Sequence, residues 1–452
     1  MDASDILIVG GGLVGQALAA RLSRDGHDVT LVEKNPDKIR ELSDTLDVQF
    51  VEGNGATSPV LRAAGIERAG LVVAATESDE VNVVVGFLAA IVFDVPRVVV
   101  RVRDPGHEEG FSKACADRPG DRFCVNPDTA AVNRIASLLD VPGAVDVMQF
   151  LDGRVVVAGF RIGYESDFAG LQVSDMKLLF ASNPTLAVAI ERGGTWIVPG
   201  GFEKIMAGDL VYFAIARHEL MDVLLLVGVE PEKRGRIMVT GATSIGLALA
   251  KRLEASDKRV VLLEEDPVAA GRAAEELDHV LVIRGRGSDQ SLLEDEEIEH
   301  VSTFVAVSDD HESNLVAGLL ARRLGAGRSI VAIDNPAMAS MVGDIGIDAI
   351  ISERLLAIGQ MLQLIRGGGV RSGAALLGDE VEIIEVEAER GSRIISAPLM
   401  ELGLPRGVLV AALHRGDELV MPKGSDQLAP GDRLLIVVMA DLVSKLTDYL
   451  EA

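Results

Sequence analysis

Residues 6–22 read ILIVGGGLVGQALAARL, and residues 237–253 read IMVTGATSIGLALAKRL. In the first stretch, apolar residues Ile6 to Val9 run into three glycines, after which Leu13, Val14, Ala17, Leu18 and Leu22 recur at helical spacing. The pattern predicts a buried strand, a tight turn and a helix. Gly10, Gly12 and Gly15 have the G-x-G-x-x-G spacing: the first permits the turn, the second lets backbone approach a pyrophosphate, and the third lets helix pack on strand. The free N–H groups of such a helix then face the phosphates. Glycine turns of this kind also serve packing alone, so the residues that follow matter. A second apolar strand, within DVTLVEK (28–34), ends at Glu33, 18 residues after Gly15, where dinucleotide folds place an acid on the ribose hydroxyls. The alternative is a solvated Glu at a strand end; with the glycines upstream, the ribose role is favoured.

The second stretch is part of a duplication. Gly10 and Gly241, Gly15 and Gly246, and Glu33 and Glu264 are each 231 positions apart. LVVAATESDEVN (71–82) is echoed by TFVAVSDDHESN (303–314), aligning Asn82 with Asn314, and RVRDP (101–105) by AIDNP (332–336). In each half, apolar runs alternate with helical segments, near 6–9, 28–32, 48–51, 70–75, 97–102 and 122–125 in the first, which predicts a doubly wound parallel sheet. A linking helix follows, and then short strands joined by turns, with hairpins at Gly193–Gly194 and Gly416–Asp417. The fold class expected is therefore α/β: two tandem Rossmann-like doubly wound parallel sheets, each followed by a small β-rich α+β domain. The boundaries are 1–126, 127–143 (linking helix), 144–228, 235–352, 353–370 (linking helix) and 371–452. Domains of that smaller size gain core by pairing.

Composition narrows the function. A net charge of −26 over 452 residues argues against a nucleic-acid surface and against direct binding to anionic lipid. It fits solubility, high-salt adaptation or docking on a basic protein. The longest apolar runs fall short of the ~18–20 residues of a membrane span, so no direct insertion is expected. The opening MDAS lacks a basic, then apolar, leader, which points to the cytoplasm. Cys115 and Cys124 match no metal or C-x-x-C spacing and read as buried or incidental thiols.

With these features in place, the chain resembles the TrkA family of bacterial and archaeal Trk potassium uptake systems, built from two tandem RCK (regulator of K+ conductance) units. The resemblance covers essentially the whole chain. It rests on ILIVGGGLVGQALA (6–19), VEGNGATSPVLRAAGIERAGLVVAATESDEVN (51–82), RVVVRVRDP (97–105), PGGFEKIMAGDLVYF (199–213), LLEDEEIEHVSTFVAVSDDHESN (292–314) and LARRLGA (320–326). It implies a cytoplasmic regulator, peripheral to the inner face of the membrane, that binds NAD(H) or ATP/ADP without turnover. It also implies a homotetrameric ring gating a TrkH-type potassium channel subunit.

Carried onto matching positions, the resemblance gives a cofactor-binding set of Gly10, Gly11, Gly12, Leu13, Val14 and Gly15 for phosphate and Glu33 for ribose. Gly53 and Asn54 lie near the adenosine, Thr76 and Glu77 follow the fourth strand, and Arg101 and Arg103 follow the fifth. Two residues apart on an extended segment, Arg101 and Arg103 share one face, toward the carboxyl edge where such sheets bind ligands. Guanidinium groups suit phosphate, although for Arg103 a surface ion pair with Asp104 or another acid is an equal reading.

The second half departs from this set. Its site residues are Gly241, Ala242, Thr243, Ser244, Ile245 and Glu264, and the β-carbon of Thr243 crowds a pyrophosphate. Ala332 and Asp334 replace the two arginines, leaving Arg284 or Arg286 to supply charge. The first site is expected to be the responsive one and the second weak, differently liganded or a scaffold. The competing class is an NAD-dependent oxidoreductase, which needs an acid or base beside the nicotinamide; none is evident among the seven histidines. An RCK-type regulator of a different cation channel or antiporter is the other alternative.

Overall fold

The computed structural model describes residues 5–116, 119–179, 185–229, 235–334, 346–366, 370–376 and 380–450. The Asn335–Pro336 end of the AIDNP echo lies outside them. The chain divides into two compact units, residues 1–130 with 353–368, and residues 131–352 with 369–452.

The first unit holds strands β1 (Ile6–Val9), β2 (Val29–Glu33), β3 (Gln49–Glu52), β4 (Leu71–Ala74), β5 (Arg97–Arg101) and β6 (Asp121–Val125). All pair in parallel in the order β3-β2-β1-β4-β5-β6. Strands covered on both faces must be apolar along their whole length, and β1 and β4 are buried at every residue. The order reverses between β1 and β4, and the carboxyl ends of β1 to β5 meet there, at the switch point where ligands of open α/β sheets bind.

One face of that sheet is completed by a helix from far along the chain. Ala357, Ile358, Met361 and Ile365, on the second linking helix (Glu353–Arg366), share a core with Ile8, Leu18, Leu22, Val99 and Val125. Arg97 Nη1 donates to the Ile365 carbonyl at 2.8 Å, capping the helix's last turn. Leu13, read as one of the apolar helix positions, differs: at the first position of the helix Leu13–Arg24 it is 61% exposed, and Val14, Gly15, Leu18, Ala19 and Leu22 form the buried face.

The second unit repeats the parallel sheet. Strands β12 (Arg236–Thr240), β13 (Val260–Glu264), β14 (Leu281–Arg284), β15 (Val301–Ala306), β16 (Ser329–Ala332) and β17 (Ala349–Ile351) run in the order β14-β13-β12-β15-β16-β17. Here the first linking helix (Pro127–Asp140) is held at its end by the second half. Arg328, 4% exposed, donates from Nη1 to Leu138 O at 2.7 Å and from Nη2 to Ala144 O. Thus each half's sheet engages the other half's linking helix. A buried guanidinium satisfying helix-end carbonyls leaves those oxygens unpaired when it is removed, so Arg328→Met is expected to cost about 2 kcal/mol, read as a lowered midpoint in urea.

The same unit contains both small sheets. The first comprises β7 (Asp146–Phe150), β8 (Val155–Arg161), β9 (Leu186–Arg192), β10 (Thr195–Ile197) and β11 (Leu210–Ala216), in the order β10-β9-β11-β8-β7. The second comprises β18 (Val370–Ala375), β19 (Val381–Glu387), β20 (Val408–Arg415), β21 (Glu418–Val420) and β22 (Arg433–Met439), with the matching order β21-β20-β22-β19-β18. The β9–β10 hairpin turns through Gly193 and Gly194 at φ of +57° and +81°, the left-handed pair that a two-residue connection favours. The two small sheets bury one core together, in which Val157, Val188, Tyr212 and Trp196 meet Ile383, Ala411, Leu435 and Val437. Glu385 seals its margin, accepting from Leu151 N at 3.0 Å and from Arg433 Nε at 3.1 Å. Among the described residues, no helix is long and apolar enough to cross a membrane.

Candidate functional site

The first-half turn is built by close backbone approach. Gly10 takes φ of +106°, and a β-carbon there would stand 2.9 Å from Thr76 N. One on Gly15 would lie 1.9 Å from the Gly10 carbonyl oxygen, so strand and helix meet with no room for a side chain. Gly12 is the contrast. Nothing lies within 4 Å of the place its β-carbon would take, and no side chain caps the helix that begins at Leu13. That helix end presents uncapped N–H groups to an open space, the arrangement that receives an anion.

Glu33, 9% exposed at the end of β2, is fixed by backbone on both sides: Oε2 accepts from Gly11 N at 2.8 Å and Oε1 from Asn35 N at 2.9 Å. Each oxygen keeps a further lone pair, so this carboxylate both shapes the turn and retains capacity for a hydroxyl donor. After β3, Gly53 takes φ of +151° against Val60, and Asn54 Oδ1 accepts from Ala56 N at 3.0 Å.

The loop after β4 and the end of β5 are joined by Asn82, a fully buried residue of the helix Asp79–Phe87. Its Oδ1 accepts from Thr76 N at 2.9 Å and from Thr76 Oγ1 at 2.7 Å, while Nδ2 donates to Thr76 O at 3.0 Å and to Arg101 O at 2.9 Å. Arg101 Nη1 reaches Thr76 O at 3.3 Å, and its Nε is buried with no acceptor among the described residues. Burial, and secondarily the Arg103 charge, lower the Arg101 guanidinium's pKa from its ordinary value. An anion beside it relieves both penalties. Glu77 is exposed in the same loop.

Arg103 turns elsewhere. Its Nη2 donates to Glu353 Oε2 at 2.9 Å, and its Nε lies 3.6 Å from Asp128 Oδ1. The ion-pair reading of Arg103 is thus the arrangement seen, with partners other than Asp104.

The second half repeats the frame and changes the opening. Glu264 accepts from Ala242 N at 2.6 Å and Asp266 N at 2.8 Å, and Asn314 ties Ser308 to Ala332 O as Asn82 ties Thr76 to Arg101 O. Thr243, however, caps its own helix: Oγ1 accepts from Gly246 N at 3.2 Å and donates to Val307 O at 2.8 Å. The hydroxyl thus takes up one of the N–H groups at the start of the helix. A cavity of about 420 Å³ beside it is lined by Glu264, Asp266, Glu276 and Asp309, with Arg272 the one cation in the lining. Asp334, opposite Arg103 in register, accepts from Ser352 Oγ at 2.7 Å. Arg286 pairs with Glu265. His311 opens the helix His311–Arg323, with Nδ1 3.3 Å from Ala332 O.

Two Rossmann-type sheets with glycine turns at their switch points, each followed by a small sheet of identical strand order, define a chain built from two tandem copies of one α/β unit. The chain belongs to the TrkA family: the TrkA-N domain model matches residues 6–119 and 237–353, and the TrkA-C domain model residues 383–451. It is 30% identical to the Trk system potassium uptake protein TrkA of Azorhizobium caulinodans, with 98% of this chain and 97% of that protein covered. Against the TrkA homolog 1 of Methanosarcina mazei the identity is 31%, with 98% and 99% covered. Among solved structures, the GsuK channel bound to NAD superposes with a TM-score of 0.61 at 17% identity, covering 99% of this chain and 79% of that one. The GsuK RCK domain gives the same score at 18% identity, covering 99% and 95%.

Sequence reasoning placed Gly10 to Gly15, Glu33, Gly53, Asn54, Thr76, Glu77, Arg101 and Arg103 in the site; Leu13, Val14 and Gly15 lie in the first turn of the helix after β1, and the others at the carboxyl ends of β1 to β5 or in the loops directly following. It missed Asn82, whose alignment with Asn314 was the available signal, and the acids Asp128 and Glu353 that hold Arg103.

Proposed function

We propose that the first half binds an adenine nucleotide, NAD(H) or ATP/ADP, and that the chain is the regulatory subunit of a potassium uptake system, gating a membrane subunit of the TrkH type. The observation that carries this is the uncapped helix end at Gly12 between the Glu33 carboxylate and the Arg101 guanidinium, where backbone N–H groups, a ribose acceptor and a cation converge. The names of the full-length relatives supply the transport system. NAD, NADH, ATP and ADP share adenosine and diphosphate, and Glu33 disfavours the additional ribose phosphate of NADP. Bound nucleotide acts as a ligand that shifts a two-state equilibrium, and only nucleotides with unequal affinity for the two states move it.

With two RCK units per chain, four chains complete an eight-unit ring, and a homotetramer on the cytoplasmic face of the membrane is the assembly we infer. The second half serves as a weaker or differently liganded copy. The nicotinamide is a ligand in this reading and not a redox partner. The test is rubidium uptake in cells lacking their own regulator and supplied with a TrkH-type subunit. The chain restores nucleotide-dependent uptake and Gly12→Asp does not; uptake equal with and without the chain would count against the reading.

A further inference from the structure

The duplication laid down two equivalent backbone corners, one in each small domain, and they carry opposite charge. In the first, the Arg217 N–H, just past β11, donates to the Arg154 carbonyl, just before β8, at 2.9 Å; in the second, the Ala440 N–H, just past β22, donates to the Glu380 carbonyl, just before β19, at 2.8 Å. The backbone is the same and the side chains are not. Arg154, Arg217 and His218 stand where the other copy has Glu380, Ala440 and Asp441. In a chain of net charge −26, a basic corner with an acidic twin does not follow from overall composition.

The basic corner is hollow. A cavity of about 490 Å³, within the size range of small-molecule sites, is lined by Asp152, Gly153, Arg154, Arg217 and His218, with Leu419 of the second small sheet as its apolar wall. Its guanidinium groups are not engaged by acids: Arg154 Nη1 donates to the Asp417 carbonyl at 3.1 Å and Arg217 Nη1 to Gln149 Oε1 at 3.4 Å, and neither pairs with a carboxylate among the described residues. Asp152, the one acid in the lining, is held by Arg433, which also binds Glu385, and His218 Nε2 lies 3.9 Å from Glu219 Oε1. The turn that carries Arg154 is strained. Leu151 and Asp152 take φ of +52° and +57°, a conformation that side chains disfavour and that persists only where the surroundings enforce it; here Glu385 and Arg433 do so.

Two guanidinium groups and an imidazole around one cavity suit an anion with more than two oxygens, which a phosphate group offers and a single carboxylate does not. We propose that this corner is a binding site for a phosphate group, carried by an inorganic phosphate or by a small organic ester whose body lies on Leu419. The site uses no residue of either glycine turn and stands independently of the nucleotide reading. Because both small sheets line the cavity, its occupant braces the seam between the two small domains.

The experiment is calorimetric titration of the full chain with pyrophosphate and with glycerol 3-phosphate, set against a variant with Arg154→Glu, Arg217→Ala and His218→Asp, the residues the other corner already carries. Hydrogen exchange over residues 151–154 and 217–219 locates the binding. Any phosphate taken up at the first glycine turn is common to both proteins and drops out of the comparison. The expected result is a binding step weakened about tenfold for each guanidinium removed, with exchange in both segments of the unaltered chain slowed by the anion. Tighter binding of pyrophosphate assigns the site to inorganic phosphates and tighter binding of the ester to an organic one, and either supports it. Arg154→Gln alone, a neutral change at an exposed side chain, gives a smaller loss of the same sign and keeps the test open should the triple variant not fold. Titrations identical in the unaltered chain and the variants, with exchange unmoved in both segments, would overturn the site.

Discussion

Gly12→Asp is expected to abolish nucleotide binding at the first half while leaving the fold as stable as before or slightly more so. Space is free for the side chain, since nothing lies within 4 Å of its β-carbon. The position precedes the helix Leu13–Arg24, where aspartate is among the best capping residues and Thr243 already does the same work in the second half. A carboxylate there would take the N–H groups a phosphate needs and add a like charge at roughly 4 Å, a repulsion of about 4 kcal/mol at a surface-like dielectric. The expected loss of affinity is at least a hundredfold. Ser244→Asp, at the self-capped second turn, should leave first-half binding intact. Titration and thermal melting of both variants decide the matter: equal losses in the two variants would show that the halves are not functionally distinct.

Asn82→Leu is expected to have the largest effect on stability, about 4 kcal/mol, because one buried amide serves Thr76 N, Oγ1 and carbonyl together with the Arg101 carbonyl. Leucine shares its branched skeleton and none of its hydrogen bonds, so the loss is mainly polar, with the larger methyl groups adding strain at this buried position. The β4 loop and the β5 end then lose their common anchor, and nucleotide affinity should fall with stability. Urea unfolding together with calorimetry measures both. A variant as stable as the parent would show that water replaces the amide.

How far the sequence reached is best judged from particular residues. The parallel sheets were legible because both faces are covered, which forces continuous apolar strands, and because each was written twice. The positions of Glu33 and Gly15 at the turn were legible because they depend on residues close in sequence or at a fixed spacing. Leu13 was misplaced as a helix-face residue: helical spacing identifies a stripe but not where the first turn emerges from the sheet edge. The exchange of linking helices was not legible. Ala357, Ile358, Met361 and Ile365 announce an apolar helix face, and nothing local says that the first sheet, rather than the second, receives it. For the same reason Arg103 could be given two readings, with Asp104 as the one acid named for it, but not its actual partner, since Glu353 is 250 positions away. At Thr243 the sequence predicted crowding from a β-carbon; the structure adds that the hydroxyl caps the helix, so the second turn is satisfied without a ligand.

The measurement that bears most directly on the central claim is calorimetric titration of the purified chain with ATP, ADP, NAD and NADH, scored for stoichiometry per chain while NADH absorbance is followed. The account predicts saturable binding at the first half, one nucleotide per chain at the tightest step, lost in Gly12→Asp, with NADH absorbance constant. Binding retained in Gly12→Asp, or steady consumption of NADH, would contradict it.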